Sequence, residues 1–174
     1  MQQPTETLPT GLEARQRVSA LYQTHALALK KLAFVMTGDQ PTAEDVVQDA
    51  FVGLCRRWAS LHETDKAVGY LRASVLNGCR SVHRVRFRRQ GITIDAPPDA
   101  ASAEDLALLG EVNRQVLAAI RRLPARQREA VVLRYYLDLT EDQTAQAMGV
   151  SRGTVKSATS RGLAALARML EETQ

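Results

Sequence analysis

Apolar residues recur every three or four positions along most of the chain, the period of helices with one buried face. From 14 to about 37 the repeat runs through Val18, Leu21, Tyr22, His25, Leu29, Leu32, Ala33 and Met36, and Gly38 and Pro41 stop it. A second helix is expected over 43–59, capped by Thr42 with Asp45 close to the capping-box position. Val47, Phe51, Leu54 and Trp58 form its apolar face, and Asp45, Gln48, Asp49 and Val52 form another. After a loop at 60–66, a third helix from 67 to about 87 buries Val68, Leu71, Val75, Cys79 and Val82. Its other side carries Arg72, Asn77, Arg80 and Arg84, and it runs on into Arg86, Phe87, Arg88 and Arg89. The stretch TIDAPPDAASAED at 93–105 is too polar to bury and reads as a linker. Helices resume over 106–122 and 124–137, with Pro124 near the first turn of the latter. No alternating strand pattern exceeds four residues. The expected fold is all-α: two small helical domains joined by a flexible acidic linker. The divisions are a disordered tail at 1–13, a first domain at 14–92, the linker at 93–110 and a second domain at 111–174.

The second domain ends in a helix-turn-helix pattern with its punctuation intact. Thr140 with Gln143 three residues later forms a capping box. Gly149 supplies a left-handed helix end, and Ser151 caps the next helix. Leu139, Ala145, Met148, Val150, Val155 and Leu163 are the expected apolar posts between the two helices. Arg152, Thr154, Lys156, Ser157, Ser160 and Arg161 are left on the outer surface. A helix of this kind fits the major groove and reads base edges from its first turns, so the pattern points to duplex DNA.

Composition narrows the picture further. Aromatic residues make up only 5% of the 174 residues, so the cores must rest on Leu, Val and Ala, which suits helices. The net charge of +4 is modest, but its distribution is informative. Residues 1–92 carry net +5, residues 93–110 net −4, and residues 111–174 net +3. Cys55 and Cys79 lie far apart without a CxxC and are expected as reduced, buried thiols. The three histidines lack metal-ligand spacing, no catalytic constellation or phosphate loop is present, and no cofactor is implied. The N-terminus lacks the apolar core of a signal peptide, and no apolar run approaches the roughly 20 residues of a membrane span. A cytoplasmic protein without membrane insertion is expected.

Four stretches together resemble one family. MTGDQPTAEDVVQDAFVGLCRRW (36–58), GYLRASVLNGCRSVHRVRFRR (69–89), IRRLPARQREAVVLRYYLDLTEDQTAQAMGVS (120–151) and GTVKSATSRGLAAL (153–166) resemble bacterial extracytoplasmic-function (ECF) RNA polymerase sigma factors, in wording closest to actinobacterial members. The resemblance implies a non-catalytic subunit that binds core RNA polymerase and directs promoter-specific initiation. Asp45, Gln48, Asp49 and Val52 would hold the core enzyme, the acids matching the family's D-x-x-Q-E/D signature against the clamp of the β′ subunit. Asn77 falls where the family places an asparagine for a flipped base of the −10 element, with Arg72, Arg80, Arg84, Arg86, Arg88 and Arg89 for phosphates. Arg126, Arg152, Thr154, Lys156, Ser157 and Arg161 would meet the −35 element, and Arg128 is a further backbone candidate. The partners implied are the β′ and β subunits of core polymerase, promoter DNA and an anti-sigma factor. Tyr70, Ser81 and Gly78 depart from the family's usual Trp, Asp and bulkier residue, which bears on the −10 base preference.

A stand-alone helix-turn-helix regulator is the competing expectation. The C-terminal motif alone fits it, but the basic helix at 69–89 does not serve a sensor domain.

Overall fold

The computed structural model describes residues 11–61, 63–90 and 111–172. The expected linker and most of the expected tail lie outside the described residues. Those described are helical, with no strand among them.

Helix α1 (Gly11–Thr37) begins three residues before the expected start. It ends where Gly38 adopts a φ of 80°, and the Gly38 N–H closes the last turn on the Phe34 carbonyl. Helix α2 (Gln40–Arg57) starts earlier than the sequence pattern suggests, because Asp39 rather than Thr42 is its cap. The Asp39 carboxylate accepts the Thr42 N–H at 2.8 Å, and Pro41 fits the first turn, where no N–H is needed. A short 3-10 turn (Trp58–Ser60) leads to α3 (Thr64–Gln90), longer at both ends than the periodicity indicates. The three helices form one bundle around Leu32, Val47, Leu54, Leu71 and Val75, none of them measurably exposed. Tyr22 packs edge-on against Phe51 with ring centroids 4.9 Å apart.

Gly78 allows the close approach of α2 and α3. A Cβ there would lie 2.7 Å from Val46 Cγ1, so the residue that weakens the helix interior permits the packing. Cys79 is buried as expected, but Cys55 is exposed, because it sits beside the α2 apolar stripe rather than in it.

The second domain holds α4 (Glu111–Arg122), α5 (Ala125–Val131), α6 (Glu141–Met148) and α7 (Arg152–Glu171). Pro124 is the cap of α5 rather than its first residue. The helix expected to reach 137 changes at Val132 into a π-helical turn, Val132–Tyr136. The widened turn swings Leu133 and Leu139 into the core and leaves Tyr135 and Tyr136 exposed. Thr140 and Gln143 form the reciprocal capping box, Gly149 ends α6 at φ 68°, and Ser151 caps α7. Leu163 is exposed rather than a post between the helices. The adjacent Gly162 makes the close contact with α5, where a Cβ would lie 2.7 Å from Val131 Cγ2.

The two domains pack on each other through α3 and α6 and through α1 and α4. Buried apolar residues of the first bundle and of the helix-turn-helix belong to one continuous cluster. Arg121 on α4 spans the junction: its guanidinium lies 4.7 Å from the centre of the Phe34 ring and donates to the Phe34 carbonyl.

Candidate polymerase and nucleic-acid surfaces

The apolar stripe of α2 turns the opposite side of that helix to solvent. Asp45, Gln48, Asp49 and Val52 are all exposed there, Val52 at 47%. No ion pair engages Asp45 or Asp49 among the described residues. The result is an acidic patch with an exposed valine at its edge, on a rigid helix and with no internal partner to displace. It can accept cations and hydrogen-bond donors and cover an apolar contact.

On α3 the expected basic residues separate into two sets. Asn77, Arg80, Arg84 and Arg88, at steps of three and four, share one stripe. Arg72 and Arg86 point elsewhere. Arg72 is half-buried against α1 in a small pocket with His25, Leu29, Val68 and Leu137. Burial lowers its pKa, partly offset by the charge of Asp65. Arg86 ties the α1–α2 turn: it donates to the Thr37 carbonyl at 2.9 Å and to Thr42 Oγ1 at 3.3 Å, with Asp39 3.9 Å away. These contacts give Arg86 a structural task at the α1–α2 turn. The side chain of Arg89 lies outside the described residues.

The stripe of Asn77, Arg80, Arg84 and Arg88 lines a cleft of about 1010 Å³ between the two domains, shared with Met36, His83, Ala125, Arg128 and Glu129. Arg84 and Arg88 are exposed. Arg80 is saturated. Its Nε donates to Glu129 Oε1 at 2.8 Å and its Nη2 to Glu129 Oε2 at 2.6 Å, a bidentate pair. Nη2 also reaches the Met148 carbonyl at 3.2 Å, and Nη1 donates to Asn77 Oδ1 at 3.1 Å. His83 Nε2 meets the Met36 carbonyl at 2.8 Å, and burial holds its pKa below the ordinary value despite that bond.

One reading made from sequence changes here, and one residue that it passed over enters. Glu129 is 4% exposed and is the partner of Arg80. Arg128, taken as a backbone contact, is 5% exposed and donates to the Arg121 carbonyl at 2.8 Å. The signal for Glu129 was present in its spacing: Val132 and Leu133 follow at three and four residues, so the acid belongs to the buried stripe.

The outer face of α7 is open. Arg152, Lys156, Ser157 and Arg161 are exposed, and Thr154 is half-buried. Ser151 Oγ accepts the Thr154 N–H at 3.2 Å and pairs with Thr154 Oγ1 at 2.9 Å, which fixes the first turn. Arg152 lies 3.2 Å from Asp142 and 3.7 Å from Glu141, exposed pairs that are individually weak. Lys156 and Arg161 have no ion-pair partner among the described residues. Arg126, at the start of α5, is also exposed.

Residues 21–91 match the family model "Sigma-70 region 2", and residues 113–166 match "Sigma-70, region 4". The chain is 32% identical over 149 residues to the RNA polymerase sigma-E factor of Streptomyces avermitilis, covering 86% of this chain and 82% of that protein. The chain belongs to the ECF sigma factors. It is also 29% identical over 157 residues to the ECF RNA polymerase sigma factor BldN of Streptomyces coelicolor, spanning 87% of this chain but 60% of BldN. Among solved structures it resembles the sigma factor RpoE in complex with the anti-sigma factor NepR from Bartonella quintana. That similarity has a TM-score of 0.67 at 24% identity, covers 88% of this chain and 98% of that one, and bears on the fold.

As a sigma factor, the chain binds core RNA polymerase and directs promoter-specific initiation. The region 2 match contains the faces of α2 and α3, and the region 4 match contains the helix-turn-helix. A stand-alone regulator leaves the match over 21–91 without a role. No helix among the described residues is long and apolar enough to cross a membrane.

Proposed function

We propose that this sigma factor divides its task among three faces. Asp45, Gln48, Asp49 and Val52 on α2 dock on a basic, partly apolar surface of the β′ clamp. The unpaired carboxylates of the acidic patch supply charge complementarity, which favours fast and correctly oriented encounter. Asn77, Arg80, Arg84 and Arg88 on α3 receive the −10 element. Promoter opening requires an extruded base to find new hydrogen bonds and the freed strand to find cations. Asn77 supplies a donor and an acceptor for a base edge, and the arginines neutralise phosphates. Arg72 and Arg86 position α3 rather than touch DNA. Arg152, Thr154, Lys156, Ser157 and Arg161 on α7, with Arg126 on α5, meet the −35 element. The protein performs no bond chemistry itself and works in the cytoplasm.

The observation that carries this reading is the complete helix-turn-helix, capped at both helices, with Lys156 and Arg161 exposed and unpaired. A helix so presented can enter a major groove without rearrangement of its own. The RpoE neighbour was solved with an anti-sigma factor, and an inhibitor protein of that class is the regulator we assign to this chain.

The direct test is transcription of sheared genomic DNA by sigma-free core polymerase, with and without the protein, with 5′ ends mapped. The expected result is discrete new start sites that share two upstream elements at fixed spacing. Duplex binding without new starts would contradict it.

A further inference from the structure

His25 on α1 and Arg72 on α3 face one small cavity, walled by Ala28, Leu29, Val68, Leu71 and Leu137. None of these residues belongs to the faces assigned to polymerase or promoter. We infer that the cavity is a binding site for a small carboxylic acid with a compact apolar body, its carboxylate held by Arg72 and His25.

The polar end of the cavity offers donors and no acid. Neither Arg72 nor His25 makes a hydrogen bond or an ion pair among the described residues, and Arg72 feels Asp65 through charge alone. No carboxylate lines the cavity. The guanidinium is a planar fork whose two parallel N–H groups match a carboxylate. Burial, and then the charge of Arg72, hold the His25 pKa below its ordinary value. The imidazole is therefore neutral near neutral pH and has one N–H to add to the fork. A half-buried cation without an acceptor carries a desolvation cost that an incoming anion offsets.

The other end sets the size and character of the ligand. Leu29 and Leu71 are buried, and Ala28, Val68 and Leu137 are half-buried. The cavity measures about 150 Å³, and an engineered apolar cavity of about that size takes up benzene. Sites for larger ligands run to roughly 300–1,000 Å³, so a nucleotide does not fit. A bare phosphate would satisfy Arg72 and leave the apolar wall uncovered. A neutral ring would cover the wall and leave Arg72 without an acceptor. A single ring or short branched chain that ends in a carboxylate meets both demands.

The probe is benzoate, added to the full chain while the His25 ring signals are followed by NMR. The expected result is a saturable shift of His25. Its pKa should rise, because an anion beside an imidazole favours the protonated form. Melting temperature should rise with benzoate, as for any ligand that binds only the folded state. His83, which lines the separate cleft with Arg84 and Arg88, should not follow. Arg72→Leu should weaken benzoate binding at least tenfold, and Arg72→Lys, which keeps the charge but loses the fork, by less. Ala28→Leu keeps both polar groups and fills the cavity, so it should abolish the shift. Each variant is checked for an unchanged helical spectrum. Inorganic phosphate at the same ionic strength should leave the His25 signals in place. No saturable shift at His25, an equal shift with phosphate, or a shift that survives either Arg72→Leu or Ala28→Leu would overturn the site.

Discussion

Helices α3 and α7 both carry a stripe of polar and basic side chains, yet they present it differently. The stripe on α7 is exposed along its length, with Lys156 and Arg161 unpaired and Arg152 held only by surface acids. The stripe on α3 faces the second domain, and one of its members, Arg80, is engaged by Glu129, Met148 and Asn77. One face is open to solvent, and the other is engaged within the protein. The difference suits the two targets proposed for them. A major groove is always available to be read, whereas a separated strand exists only inside an assembled polymerase, where a prematurely exposed cationic face would bind any single strand.

The largest effect expected from any single change is that of Asp49→Arg. It reverses the charge of the patch proposed to face polymerase without touching the core, so co-purification with core polymerase should be lost. A surface substitution of this kind shifts stability by no more than about 0.5 kcal/mol, and thermal melting checks that.

The comparison sharpens in the free protein. Lys156→Ala should weaken binding to duplex DNA and lower the salt-dependence slope by about 1 if Lys156 contacts a phosphate. Asn77→Ala should leave the same titration unchanged, because its face is covered. Equal losses from the two variants would erase the distinction between the faces.

A smaller effect separates fold from recognition on α3. Gly78→Ala gains roughly 0.5–1 kcal/mol of helix propensity but drives a Cβ to within 2.7 Å of Val46, and overpacking costs about 1–3 kcal/mol. A net loss of about 1 kcal/mol is expected in denaturant unfolding, with start-site choice unchanged. Altered start sites at unchanged stability would place Gly78 in recognition instead.

The smallest effect comes from pH. Burial lowers the pKa of both His25 and His83. The unfolded chain then binds more protons than the folded one below about pH 6.5, the ordinary histidine value. Stability is therefore full above that pH and declines as pH falls toward the lowered folded values. Melting temperature between pH 7.5 and 5.5 should fall, and His83→Gln should flatten the decline. A melting temperature that rises on acidification would contradict the burial of these rings.

Periodicity and punctuation revealed the local elements. The capping box of Thr140 and Gln143, the left-handed Gly149 and the cap at Ser151 lie where the sequence places them, because each is decided within four residues. The apolar stripe of Val47, Phe51, Leu54 and Trp58 was legible for the same reason. Less visible were features set by distant partners. Asp39 outcompetes Thr42 as a cap where Arg86 approaches from α3. The π-helical turn after Val131 satisfies a packing demand that a 3.6-residue period does not encode. Arg86 and Arg128 read as surface cations because composition cannot tell a phosphate from a carbonyl as their acceptor. Glu129 and Arg80 stand 49 residues apart, and nothing local announces that they meet.

The most direct test of the unequal faces is the distance between the two domains. Spin labels on Lys31→Cys in α1 and Ala164→Cys in α7, both exposed, in a Cys55→Ser background, would be read by double electron–electron resonance without and with core polymerase. The account predicts one narrow distance distribution in the free protein and a longer, separate one in the holoenzyme. A broad distribution in the free protein, or one that core polymerase leaves unchanged, would contradict it.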